Sequence, residues 1–430
     1  MTTTTLTATE RTTDRLRSID LYLDHPPGEV HEVEELVDVG CGVYPVYYRR
    51  TDDALRVSTS AAEVIADAGD LVRDEAYVDT LPTGLDWSRT AADLNPAARL
   101  IHAIPSDITA NYTPDPVVRA VARLGIITPS NWSFEDRTVD ERVRRLRPFE
   151  RVTADGAEDT WDPTFSLSSP EELVERSATH LTGFVNDVER RFPDHQHVVL
   201  TGGRDSQLIS LVPKETDNWH VFSAHPNAPL VEEFVAENDL DVNRVFTHDN
   251  VNRETRAETR RKLLCSDVRN PPRDMRWRVR LADIAEEFDG DCIFWCGTAA
   301  DAIYSHYPVA HGRSREEYFG IHTGKVALGN GITHQTTYNF TGSPLLSPYH
   351  SERMWQEVYR HYDPTMMERE MDLRDALGER LHGEPVAWPD ANPSPSEWRH
   401  DHGFNPTETY LRYVQDRAVG AADSAVGAPF

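Results

Sequence analysis

Lysine is almost missing from this chain: Lys214, Lys262 and Lys325 are the only three among 44 basic residues, the rest being arginine. Basic charge as a whole is also scarce, since 72 acidic side chains leave a formal net charge of −28. That balance argues against duplex DNA or an anionic membrane surface as a partner, because both reward Lys and Arg. Uninterrupted apolar runs of the ~18–20 residues needed for a membrane span are missing too. The opening stretch, MTTTTLTATERTTDRLRS, has no apolar segment and is not expected to act as a secretory signal. Residues 1–20 read as a disordered tail, and the expected compartment is the cytoplasm. Four cysteines in 430 residues exclude a disulfide framework. Cys292 and Cys296, in the run CIFWC, fall on one face of a strand about 13 Å apart. That is too far for a disulfide, and no second ligand pair at zinc spacing accompanies them, so they are expected to be buried thiols.

An acidic surface with almost no lysine is what dispersion in concentrated salt requires, where a Debye length of about 3 Å at 1 M screens the self-repulsion. The expectation is a haloarchaeal-type sequence; a high-GC genome is the plainer account of the arginine but does not by itself explain the acidity. The length allows roughly two or three domains with a real core.

Short strand-like runs open the folded part, among them VYPVYYRR (Val43–Arg50) and LRVSTS (Leu55–Ser60), the latter leading into a helix at AAEVIADAG. DPTFSLSSPEE then looks like a linker ending in a helix cap. Ser168 or Ser169 serves as N-cap, Pro170 is tolerated in the first turn, and Glu171 and Glu172 are favourable there. The following helix carries an apolar stripe of Leu173, Ala178, Leu181, Phe184, Val185 and Val188. Beyond it, strands alternate with helices: HVVLT, WHVFSAH, VNRVFTH and DCIFWC are the strands. This predicts an α/β protein with a doubly wound, mostly parallel sheet preceded by a smaller α+β domain. The expected division is a tail at 1–20, a first domain at 21–165, a second at 166–375 and a partly irregular extension at 376–430.

In such sheets ligands bind beyond the C-terminal strand ends, and two loops lie there. The first is LTGGRDSQ. Gly202 and Gly203 let the backbone turn sharply and approach a ligand closely, and the N–H groups of Arg204, Asp205 and Ser206 follow. Asp205 suits bare phosphate poorly but suits Mg²⁺ bridging to phosphate oxygens. A plain strand–turn–helix corner with Asp205 or Ser206 as cap is the simpler account of the Gly-Gly pair. The complete string after an apolar strand favours a nucleotide.

Thr201-Gly202-Gly203-Arg204-Asp205-Ser206 resembles the SGGxDS pyrophosphate loop of the N-type ATP pyrophosphatases. The second loop, FWCGTAADAIYSHYP (Phe294–Pro308), resembles the GEGxDE-type loop of the asparagine synthetase group through Gly297, Asp301 and the Tyr307-Pro308 pair. Val46–Ile65 and Ser133–Val152 are similar to segments of that group's N-terminal glutaminase domain, and Ser343–Val358 to a later segment. The resemblance spans roughly residues 40–365 and is strongest in the two loops. It implies a PP-loop synthetase fold behind an Ntn-like domain. It also implies ATP and Mg²⁺ as cofactors, with Asp205 and Asp301 on the metal. Leu200, Thr201, Gly202, Gly203, Asp205, Ser206, Phe222, Ser223 and Gly297 would lie on ATP or pyrophosphate, and Arg204, Thr298 and Asp301 would be catalytic.

Three departures qualify the resemblance. Residue 2 is Thr where glutamine-hydrolysing members have Cys, so no glutaminase activity is expected. The first Glu of the second loop falls on Thr298, which is no base near neutrality, and the second acid on Ala302. The family's downstream Lys has no counterpart: Lys325 comes early, and Leu373–Pro395 contains none. His225, His248 and His306 are candidates to compensate. The arginines of Arg269–Arg280 either bind an anionic substrate or pair with neighbouring acids. The expected activity is an ATP-dependent ligase that adenylates a small-molecule or peptide carboxylate and forms an amide with ammonia or an amine. A homodimer is left open. The alternative is an inactive nucleotide-binding sensor or scaffold, and action on tRNA is disfavoured by the charge.

Overall fold

The computed structural model describes residues 13–79, 136–161, 164–224, 227–248, 256–267, 279–304, 314–316, 319, 327–361, 372–389 and 406–419. Thr2, His225, His306, Tyr307, Pro308, Lys325 and all but the last two residues of Arg269–Arg280 lie outside them, as does the side chain of Asp301.

The chain forms a mixed α/β structure with two sheets. The first holds β1 (Thr13–Arg17), β2 (His31–Val37), β3 (Tyr47–Arg50), β4 (Leu55–Ser58), β5 (Val143–Arg145), β6 (Glu150–Thr153) and β7 (Ala157–Asp159). Its order is β5-β3-β4-β2-β6-β7, antiparallel throughout, with β1 added parallel to β2. With it go α1 (Asp20–Leu23), α2 (Ala61–Asp67) and α3 (Glu75–Val78).

The second part opens with α4 (Pro170–Arg191), followed by β8 (Gln196–Leu200), α5 (Arg204–Ser210), β9 (Trp219–Ala224), α6 (Ala228–Glu237) and β10 (Arg244–His248). Next come α7 (Arg256–Cys265), α8 (Val279–Glu287), β11 (Cys292–Cys296), α9 (Ala300–Tyr304), α10 (Ala327–Thr341) and β12 (Leu345–Leu346). The chain finishes with α11 (Glu352–Glu357), α12 (Asp372–His382) and α13 (Pro406–Ala418). The second sheet is wholly parallel, in the order β10-β9-β8-β11-β12.

Local chemistry accounts for these elements. Ser169 caps α4, its hydroxyl accepting the Glu172 N–H at 3.2 Å, with Pro170 in the first turn and Arg190 and Arg191 in the last. The inner strand β11 is buried along its whole length, as its unbroken apolar run requires. Alternate residues of the second sheet enter different clusters. Val199, Val221, Ile293 and Trp295 pack with Leu173 and Leu181 of α4 and Leu208 of α5. Val198, Leu200, Phe222, Phe246 and Phe294 pack with Leu281 and Ile284 of α8. The first cluster continues without a break into the first sheet through Val33, Leu36 and Val57. All four cysteines are buried free thiols. Among the described residues, no helix is long and apolar enough to cross a membrane.

The sequence expectations need correction at both ends. Residues 13–20 are no disordered tail: β1 pairs with Val33–Val37 of β2, anchored by buried Leu16. One apolar residue among Thr, Asp and Arg is too faint a period-2 signal to read. The 375/376 boundary falls inside α12, whose Leu373, Leu377 and Leu381 are buried in the main core. Helix α13 returns to the first part, where Tyr413 and Val414 join a cluster with Ala62 and Ile65 of α2 and Arg417 pairs with Glu63.

Two buried imidazoles make stability pH-dependent. His197 stacks on Trp219 with ring centroids 4.6 Å apart and accepts from Trp295 Nε1 at 3.1 Å; burial pushes its pKa down to about 4. Burial also pushes His180, beside the Pro348 carbonyl, down to about 4. Each is neutral in the fold and gains a proton near pH 6.5 once unfolded. Their stabilisation is therefore complete above pH 6.5 and is lost as pH falls through 4. Denaturant titrations should show stability falling across that window, and the slope should flatten in a His180→Gln, His197→Gln double variant.

Candidate functional site

The loops after β8 and β11 meet at the C-terminal edge of the second sheet. Numbered by their order in the chain, its strands run 3-2-1-4-5 across the sheet, so the order reverses between β8 and β11. The two loops touch directly. A Cβ on Gly297 would stand 2.4 Å from the Ser206 backbone nitrogen, 2.5 Å from the Asp205 carbonyl carbon and 2.8 Å from Asp205 Cβ. Only glycine permits that approach. Ala299, two residues on, takes a left-handed backbone at φ 76° to turn the chain into α9.

Leu200 and Thr201 are buried, and the Thr201 N–H donates to the Phe222 carbonyl at 2.9 Å. The Phe222 carbonyl, whose residue was expected to lie on ATP, thus already serves the first loop. Ser206 Oγ lies 3.0 Å from both Thr201 Oγ1 and the Gly203 carbonyl, fixing the turn. Gly203 is the extended N-cap of α5, and Asn227 lies over Gly202. Around this turn, Gln207 Oε1, Ser223 Oγ and Asn227 Oδ1 are buried polar atoms with no hydrogen-bond partner among the described residues. Buried polar groups of this kind are rarely left unsatisfied in a native fold.

Sequence reading missed the charges that α12 brings to the loop. Arg374 donates from Nε to Asp205 Oδ1 at 2.6 Å, with the guanidinium almost wholly buried and Asp205 30% exposed. The neighbouring residues pair crosswise: Arg204 holds Asp375 and lies over the Trp388 ring. Tyr349 OH donates to the Asp205 carbonyl at 2.9 Å. Asp205 thus has one carboxylate oxygen engaged by a fixed cation.

Thr298 faces inward. Its hydroxyl is 3.0 Å from Cys296 Sγ, and its carbonyl accepts from Ser347 Oγ at 2.7 Å. Cys296 Sγ in turn lies 3.7 Å from His334 Nε2. His334 Nδ1 is 2.6 Å from the Leu345 carbonyl, which can only accept, so Nδ1 carries the proton and Nε2 faces the thiol as an acceptor. His334 had drawn no attention in the sequence. His248, which had, closes β10 at the far edge of the sheet, two strands from β8. Ala302, at the second acid position, is buried in the core.

The loop contact makes a sharp test. Gly297→Ala should cost about 2–3 kcal/mol by overpacking against backbone that cannot swing aside. Gly183→Ala on α4, where an added Cβ meets nothing within 4 Å, should be neutral or slightly stabilising. Thermal denaturation of the two variants checks this.

No protein-family model matches the chain, and no curated protein matches it.

Proposed function

We propose that the chain is an asparagine synthetase-like ligase that adenylates a carboxylate with ATP and passes the acyl group to ammonia or an amine. The observation that carries this reading is the backbone contact of two glycine loops where strand order reverses, the crevice in which doubly wound sheets take their ligands. In this reading the second sheet is a doubly wound domain of the PP-loop type, and the first is a degenerate glutaminase-like domain kept as a scaffold. The unsatisfied atoms of Gln207, Ser223 and Asn227 support a polar ligand beside the first loop.

Adenylation needs the carboxylate oxygen to attack the α-phosphorus while pyrophosphate departs. The backbone of Gly202 to Ser206 would cradle the leaving pyrophosphate, and Arg374 and Arg204 would offset its charge. Arg374 would supply the fixed positive charge of the missing Lys without its proton chemistry. Asp205, with one oxygen held by Arg374, does not fit a resident Mg²⁺ site by itself. In this reading magnesium arrives as part of MgATP. Proton removal from the incoming amine, lost with the family Glu, would pass along Thr298, Cys296 and His334.

The Arg374–Asp205 pair also favours a second reading, a nucleotide-binding sensor without turnover, because it neutralises the carboxylate assigned to the metal. ATP–pyrophosphate exchange in molar KCl with Mg²⁺, against a panel of carboxylates that includes aspartate, separates the two. The ligase reading expects exchange with one member of the panel and its loss in Arg374→Gln, which removes the buried guanidinium. ATP binding without exchange favours the sensor, and absence of ATP binding defeats both. His334→Gln should preserve exchange while slowing amide formation about 10²-fold or more.

A further inference from the structure

The connection from α1 to β2 holds a group of ligating side chains that belongs to neither of the two loops discussed above. His25, Glu29 and His31 each present a ligand atom, and the three atoms lie within 4.8 Å of one another. The His25 and His31 rings have centroids 4.1 Å apart, tilted by 51°. Glu29 Oε2 is 3.7 Å from His31 Nε2. Ligand atoms on a tetrahedral zinc stand about 3.4 Å apart, given bonds near 2.1 Å. The Glu29–His31 separation already approaches that, and small rotamer changes would close the rest.

The backbone under these side chains is held from several sides. Glu29 N–H donates to the Pro26 carbonyl, closing the turn, and Gly28 takes the left-handed conformation (φ 79°) that it needs. The Gly28 N–H donates to Thr59 Oγ1 at 3.1 Å, and Thr59 Oγ1 reaches Asn339 Oδ1 on α10 at 3.2 Å. The hydroxyl of buried Tyr338, also on α10, bonds the His25 carbonyl and lies 3.2 Å from that of Leu21. His31 opens β2 in register with Val57 of β4. One ligand thus stands on the sheet, and the other two stand on a turn tied to α10.

The geometry points to a site for one divalent transition ion of the zinc type, held by His25, Glu29 and His31, with a fourth position open to water. Two imidazoles and one carboxylate select such an ion over Mg²⁺, Ca²⁺ and K⁺, which prefer oxygen. Half-exposed Glu29 gives the ion a way in. The bound ion staples the α1–β2 turn to the start of β2, an inner strand of the first sheet, and through Tyr338 it stiffens the junction with α10. Nothing in this depends on nucleotide chemistry.

Calorimetric titration of the full chain with Zn²⁺, in excess Mg²⁺ and KCl to occupy the acidic surface, tests the site. One equivalent per chain should bind and raise the thermal midpoint by several degrees. Glu29→Gln, His31→Gln should abolish both effects while keeping the wild-type midpoint in EDTA, which shows that the variant folds. Co²⁺ in place of Zn²⁺ should give the visible absorption of a four-coordinate site in the wild type alone. No saturable binding, or the same equivalent in the double variant, would overturn the assignment and place the ion on the thiols or the surface carboxylates.

Discussion

Among the described glycines of the second part, Gly297 sits closest to its neighbours, and it can do so because of an atom it lacks. Because Gly297 has no Cβ, the turn after β11 can press against the first turn of α5, and the two strand ends share one crevice. Much of the surrounding architecture keeps that contact in place. Ser206 and Thr201 lock one turn, and Ser347 holds the Thr298 carbonyl of the other. Tyr349 reaches from the segment after β12 to the Asp205 carbonyl. Any side chain at 297 would push against the backbone of Asp205 and Ser206 and force the loops apart.

The crossed pairs between Arg204-Asp205 and Arg374-Asp375 work differently. A guanidinium buried to the extent of Arg374 gains little net stability from its partner, because desolvation offsets most of the Coulomb attraction. What the pairs add is geometry. Helix α12 is brought to the mouth of the crevice by Leu373, Leu377 and Leu381, and the charges fix its rotation there.

The sequence carried the local structure well. Strand β11 is a continuous apolar run, β8 and β9 carry apolar stretches at Val198–Leu200 and Val221–Phe222, and Ser169, Pro170 and the following glutamates mark the start of α4 before any packing is known. The two glycine loops could be read for the same reason, since their signal is short in sequence. Arg374 and His334 could not, because each acquires its meaning from a partner far along the chain, 169 residues away for Asp205 and 38 for Cys296. Nothing in LRDALGER distinguishes the arginine that reaches a strand end from one that faces water. The β1 strand was missed for the opposite reason: its one buried apolar residue, Leu16, gives too little pattern to separate a strand from a polar tail.

The pairing of Asp205 with Arg374 means that the crevice carries its own counter-ion. An anion bound there, as the ligase reading proposes, would not meet a bare guanidinium but would displace a carboxylate from one. The exchange breaks one ion pair and makes another of the same charge type, and salt screens both alike. Anion capture by this arrangement is therefore far less sensitive to ionic strength than capture by an unpaired cation. For a chain whose composition is suited to concentrated salt, such an exchange would stay effective where long-range attraction has faded.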